Sequence, residues 1–243
     1  MSTSSDPSSL GGREKAVTFI VPALNEGARV GATVREIEQA AAGLEGFEIL
    51  LVDDGSDDDT PSLMEALAHD TEHIRVLRHP VNRGLGAAYK SGLAMARLPY
   101  VMLVPGDNCF PATSIAPILA RVGEADMVIP YHLNAATARP LKRRLLSDVY
   151  TGVANRLSGF SVPYYNGIVI HRTDLVRAAD IRTDGFAYQL EGLIKLLRRG
   201  HSFITVGIEL VERQAGRSTA LRWRNLLQIG EVFARLATDA LWF

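Results

Sequence analysis

From Val17 to Ile129 the chain alternates short apolar runs with stretches of helical apolar spacing, and each run stops at a polar or proline-containing turn. Val17 to Val21 is the first run, ending at Pro22; Val30, Val34, Ile37 and Ala41 then recur at helical spacing. Phe47 to Val52 is the second, closed by Asp53-Asp54-Gly55-Ser56, after which Thr60 and Pro61 read as a helix N-cap and first helical position. Ile74 to Leu77, Tyr100 to Val104 and Asp126 to Ile129 supply further strands, with helices expected over Gly84 to Ala96 and Ile115 to Val122. Strands alternating with helices imply a mainly parallel sheet covered on both faces, so the predicted fold class is α/β.

After Pro130 the rhythm changes. A basic segment, Arg139 to Arg144, precedes a helix expected over Leu145 to Leu157, and Gly167 to Ile170 adds a strand. Ala187 to Arg199 reads as a helix stopped by Gly200, Phe203 to Val211 as a strand, and Leu221 to Leu241 as a terminal helix. The 243 residues, 47% hydrophobic and 22% charged, suit one large domain with a sizeable core. The Ser-, Gly- and Asp-rich opening, residues 1–15, is expected to be a flexible tail. A net charge of -1 supplies no global field toward nucleic acid, and none is expected as a partner. A single cysteine, Cys109, fits a reducing compartment, and no window reaches the roughly 18 apolar residues of a membrane span; a cytoplasmic location follows as the expectation.

The loops that follow the strands carry the chemistry. In open parallel sheets, ligands bind where the carboxyl ends of strands deliver loops into a shared crevice. Here those loops are Pro22-Ala-Leu-Asn25-Glu26, Asp53-Asp54-Gly55-Ser56 and Pro105-Gly106-Asp107-Asn108. Carboxylates can accept hydrogen bonds from a base or ribose, and glycine allows close backbone approach, so together they suit a nucleotide. Each loop alone is equally well explained as an ordinary turn.

With Val21-Pro-Ala-Leu-Asn-Glu26, Asp53-Asp-Gly-Ser56 and Asn82-Arg-Gly84-Leu-Gly86-Ala-Ala88 in this order, the sequence resembles the inverting glycosyltransferases of family 2. The resemblance implies a glycosyltransferase A-type fold, with a Rossmann-like sheet. It further implies that Pro22, Leu24, Asn25 and Glu26 line the donor pocket, that Asp53 lies near the base with Asp54, Gly55 and Ser56 beside it, and that Gly84 and Gly86 sit close to the sugar nucleotide. A DxD element normally follows the fourth strand in this family. Pro105 stands at its first position, leaving Asp107 as the ligand for a divalent cation, Mg2+ or Mn2+.

Arg143-Arg144-Leu-Leu-Ser147, Gln189-Leu-Glu191 and Arg213-Gln-Ala-Gly216-Arg-Ser218 are similar to elements of the polyprenyl-phosphate sugar transferases, including dolichol-phosphate mannose synthases. That likeness implies a hexose passed with inversion from a nucleoside diphosphate sugar to a polyprenyl phosphate. Arg143, Ser147 and Ser218 would hold the acceptor phosphate, with Asp107, Glu191 and Arg213 at the chemistry and Arg213 steadying the donor diphosphate. The expected organisation is a transferase domain over residues 16–220, with a donor half to about residue 130 and an acceptor half beyond it. An amphipathic helix over 221–243 follows, which would pack on the core, pair with a second copy or lie on a membrane surface. Two rival readings stand beside this one. A sugar or glycolipid hydroxyl acceptor would need Glu191 as general base. A noncatalytic nucleotide-sugar binding protein would keep the loops without turnover. His79 and the other histidines are expected on the surface or at caps, and Cys109 as a plain small side chain.

Overall fold

The apolar runs become β1 (Ala16–Ala23), β2 (Gly46–Asp53), β3 (Ile74–Arg78), β4 (Tyr100–Leu103) and β5 (Met127–His132), joined by β6 (Ile170–Arg172) and β7 (Phe203–Ile208) in the computed structural model. It describes residues 14–69, 71–134, 141–209 and 223–239, with backbone alone at 141–143, 223–226 and 239. The seven strands form one sheet of order β3-β2-β1-β4-β6-β5-β7. Neighbours β3, β2, β1 and β4 are parallel, as are β5 and β7; β6 runs antiparallel to both β4 and β5. The second half of the chain therefore extends the same sheet.

Alternate residues of each strand face opposite sides, and the helices divide accordingly. Val17, Phe19 and Val21 of β1 pack with Val30, Val34 and Ile37 of α1 (Gly27–Ala41), Met64 of α2 (Thr60–His69), and Ile115 and Ile118 of α4 (Ala112–Leu119). On the other face Ile20, Val52 and Val101 meet Leu93 of α3 (Leu85–Met95), Ala154 of α5 (Leu141–Ser158) and Val176 of α6 (Thr173–Ala178). The same cluster takes in Leu190, Leu193 and Leu197 of α7 (Tyr188–Arg198), and Val232 and Leu236 of α8 (Trp223–Asp239). The three-layer α/β architecture matches the expectation.

Local details depart from it. Thr60 does not cap its own helix: its hydroxyl accepts Glu26 N–H at 2.9 Å, while Asp58 Oδ1 accepts Thr60 N–H at 2.9 Å. Helix α4 starts three residues early because the Glu36 carboxylate of α1 takes Ala112 N–H at 2.6 Å, fixing the chain just after Pro111. The expected strand at Gly167 to Ile170 is displaced to Ile170–Arg172, and α6 follows it directly. Of the expected tail, Lys15 is already tied down by its N–H to Glu45 Oε2, 3.1 Å, and residues 1–13 lie outside the described residues. The described part of the terminal helix spends Val232 and Leu236 on the core, and Phe233 stacks on Tyr150 with ring centroids 5.5 Å apart. Among the described residues no helix is long and apolar enough to cross a membrane.

His171 on β6 is 4% exposed, and burial pushes its imidazole down to about 3. The unfolded chain, with an ordinary histidine pKa of about 6.5, takes up a proton that the fold refuses. Its contribution is intact above about pH 6.5 and is lost as pH falls toward 3. Urea unfolding at pH 7.5 and pH 5 should therefore show about 2 kcal/mol more acid destabilisation in the parent than in His171→Leu. Equal losses in the two proteins would contradict this.

Candidate active site

Because β1, β2 and β4 are parallel neighbours, their carboxyl ends bring three loops to one edge, as the sequence implies. The first two loops are laced together. Asn25, in the left-handed region at φ 58°, donates its N–H to Ser56 Oγ at 3.0 Å, and its Oδ1 accepts Asp57 N–H at 3.0 Å. Glu26 opens α1 and pairs with Arg29 at 2.6 Å. The third loop crosses the end of β1, where Gly106 donates to Pro22 C=O at 3.0 Å; a Cβ there would come within 2.9 Å of the Ala23 methyl. Leu24 and Asn108 are exposed, and Asp107 lies half-buried between the third loop's glycine and Asn108.

The two aspartates after β2 have separate tasks. Asp53 is fully buried; its Oδ1 accepts Ser56 N–H at 2.9 Å, and Oδ2 lies 3.2 Å from Arg78 Nε. Asp54 turns toward the loop between β3 and α3. Its Oδ1 accepts Arg83 N–H at 2.9 Å and meets His79 Nδ1 at 2.7 Å, and its Oδ2 accepts Gly84 N–H at 2.9 Å. His79 Nε2 continues to Ser91 Oγ at 2.9 Å. The expected surface role of His79 is thereby corrected: it is 4% exposed and braces Asp54 from behind. Its position at the end of β3, on the same edge as the other loops, was the sequence signal that could have found it.

The glycines of these loops lie close against other backbone. At Gly55, φ 81°, a Cβ would lie 2.4 Å from the Val81 carbonyl carbon. A Cβ on Gly84 would lie 2.6 Å from Asp184 O, and one on Gly86 2.5 Å from Thr183 O. The segment around residues 183–185 is therefore seated on the start of α3, where Asp184 C=O accepts Gly86 N–H at 2.8 Å and Ala87 N–H at 3.2 Å.

Glu191 lies in an interior polar node. Its carboxylate is wholly buried and accepts five hydrogen bonds: Arg182 N–H at 3.2 Å, Thr183 N–H at 2.9 Å, Thr183 Oγ–H at 2.6 Å, Lys195 Nζ at 2.7 Å and Arg235 Nη2 at 2.8 Å. Burial alone would raise its pKa, but the Lys195 and Thr183 bonds prevail and hold it down to about 2. A carboxylate this stable and this fully engaged is a poor proton acceptor, which weighs against the rival reading of Glu191 as a general base. Cys109 is likewise inert as a nucleophile, since burial pushes its thiol up to about 12. Arg213 and Ser218 lie outside the described residues, as does the Arg143 side chain, so the phosphate contacts expected of them are not seen. Ser147 is half-buried on α5. Arg235 carried no local sequence signal, because its partners Glu191 and Thr183 lie 44 and 52 residues away along the chain.

Glu191→Gln removes the charge that two cations share, and breaking such buried pairing costs about 3 to 5 kcal/mol. The folded pKa lies below the unfolded one, so this stabilisation is full above about pH 4.5 and fades as pH falls toward 2. Thermal unfolding at pH 7 should show a large drop in Tm for the variant. Turnover per folded molecule reduced 1,000-fold or more, without that drop, would restore the proton-transfer role, whose loss typically costs about 100- to 10,000-fold.

Comparison with known proteins bears on the chain's family and fold. The sequence profile described as glycosyl transferase family 2 matches residues 18–168. A dolichyl-phosphate beta-glucosyltransferase of Trichomonas vaginalis is 36% identical over 101 residues, covering 39% of this chain and 30% of that protein. The polyprenol monophosphomannose synthase of Mycolicibacterium smegmatis is 28% identical over 211 residues, 82% of this chain and 78% of that one. In three dimensions the chain is similar to the glucosyl-3-phosphoglycerate synthase of Mycobacterium tuberculosis in complex with UDP, with a TM-score of 0.71 at 16% identity over 95% of this chain and 82% of the other. The same synthase in complex with Mn2+, UDP and its product gives a TM-score of 0.63 at 18% identity, covering 96% and 81%. The likeness extends to the glycosyltransferase A-type fold, and the chain belongs to glycosyl transferase family 2 as a nucleotide-sugar-dependent glycosyltransferase.

Proposed function

We propose that this enzyme transfers a hexose, with inversion, from a nucleoside diphosphate sugar to a polyprenyl phosphate at the cytoplasmic face of a membrane. The observation that carries this reading is on α5. Leu145, Leu146, Val149 and Val153 are 56%, 42%, 65% and 40% exposed, on a helix that buries Ala154 and packs the partly buried Tyr150 against the core. Lys142-Arg143-Arg144 stand at the start of that helix, and Ser147 lies one turn after Arg143. Cations beside an exposed aliphatic stripe suit a ligand that is an anion at one end and a hydrocarbon at the other. The relatives named for dolichyl phosphate and polyprenol support the same acceptor class.

A lipid phosphate also fits the acid-base chemistry. Its oxygen is already anionic at neutral pH and can attack the anomeric carbon directly, opposite the departing nucleoside diphosphate. That single displacement inverts the centre and asks no side chain to remove a proton. A hydroxyl acceptor would require a base, and Glu191 is fully engaged elsewhere.

On the donor side, the edge formed by Leu24, Asn25, Glu26, Asp53 and Ser56 would receive the nucleotide, with Asp107 toward the diphosphate. Among the described residues no three His, Cys, Asp or Glu side chains gather into a metal-holding group. One carboxylate nevertheless fits Mg2+ or Mn2+, which bind through one or two carboxylates together with substrate phosphates. Asp107 is the residue that would hold the ion, with Arg213 steadying the same diphosphate. When bound, the ion would offset the charge on the leaving group.

Labelled UDP- and GDP-hexoses offered with undecaprenyl or dolichyl phosphate should yield a lipid-linked sugar. Transfer to a lipid alcohol or glycolipid but never to a lipid phosphate would overturn the acceptor assignment. Leu145→Asp combined with Val149→Asp should slow transfer to vesicle-embedded acceptor by about tenfold or more while sparing a short, water-soluble prenyl phosphate. Asp107→Ala should lower kcat by about a hundredfold in Mn2+. Full activity of that variant under chelation and after Mn2+ addition would remove Asp107 from the donor site.

A further inference from the structure

The family match ends at residue 168, yet a polar relay built from later residues reaches back to the donor edge. It begins on α8, where Arg235 Nη2 donates to Glu191 Oε2 at 2.8 Å and to Thr183 Oγ1 at 2.9 Å. The same Glu191 oxygen accepts Thr183 N–H and Oγ–H at 2.9 and 2.6 Å, so three groups meet on one atom. One residue on, Asp184 C=O takes the Gly86 and Ala87 N–H groups, and its carboxylate pairs with Lys90 at 2.7 Å. Gly84, the residue just before α3, donates in turn to Asp54 at the end of β2. Between segments the links are hydrogen bonds and an ion pair, and the glycines at 84 and 86 permit the two loops to touch.

We propose that Arg235 is a positioning residue for the donor site: from the C-terminal helix it locks the 182–185 loop against the β3–α3 loop and so sets the shape of the donor edge. It acts through Glu191 and Thr183 and touches no substrate. The guanidinium suits this task because its planar fork reaches carboxylate and hydroxyl together. Loss of Arg235 leaves α8 its own anchors, namely buried Val232 and Leu236 and the bond from Arg198 to Leu236 C=O at 2.8 Å. The helix should therefore stay docked while the loop loosens. The binding consequence rests on the donor reading given above; the ordering of the two loops does not.

Hydrogen exchange on the full chain tests the ordering directly. Arg235→Met keeps the aliphatic stem and should speed exchange of amides at 182–187 and 83–88 by about tenfold or more, with β1 and β2 unchanged. The apparent KM for the nucleotide sugar should rise about tenfold with kcat within about twofold, and Arg235→Lys should recover part of both effects. Thr183→Val, which deletes the hydroxyl link alone, should loosen the same two segments and serves if the methionine variant fails to fold. Unchanged exchange at 83–88, or a uniform rise over the whole sheet, would overturn the proposal. If the parent turns over no nucleotide sugar, the donor reading fails, and the exchange pattern still decides the role of Arg235.

Discussion

The seating of the β3–α3 loop on the carboxyl edge of the sheet depends on a buried carboxylate that meets backbone donors. Asp54 stands where β2 ends, and its carboxylate accepts the Arg83 and Gly84 N–H groups, each at 2.9 Å. With them paired, the β3–α3 loop is drawn onto β2, and α3 starts at a fixed point. Arg177 secures the other end of that helix by donating to the carbonyls of Leu93 and Ala96, where a cation also complements the helix dipole. The edge proposed for the donor is thus framed by a helix clamped at both termini.

A second carboxylate does comparable work in the other half of the molecule. Glu191 gathers an arginine, a lysine, a hydroxyl and two amides around one buried point. Such a node is costly to assemble and destabilising when half-built, so it fixes one arrangement of the 182–185 loop. Its low pKa and its poverty as a base have the same cause: every lone-pair direction is already taken.

Much of this was legible in the sequence, for identifiable reasons. Strand and helix periodicities gave the order of elements through β5, because each segment buries its own apolar face and announces it. The polar loops after β1, β2 and β4 were legible because parallel strands send their ends to one edge. What stayed hidden was long-range. Nothing near His79 foretells Asp54, 25 residues away. Nothing near Glu191 foretells Arg235, 44 residues on. The antiparallel insertion of β6 between β4 and β5 was hidden for a related reason, since three residues carry too little period to reveal a direction. Thr60 was misread because a threonine before Pro61 looks like a cap whichever helix its hydroxyl serves.

The closed start of α3 has a consequence for how a diphosphate would be held. A glycine-rich turn leading into a helix commonly offers free amides and the positive end of the helix dipole to phosphate oxygens. Here the amide of Gly84 is taken by Asp54 and those of Gly86 and Ala87 by Asp184, so this turn is a hinge pin between loops rather than an anion cradle. A diphosphate bound at this edge would therefore need its charge met by donors outside this turn.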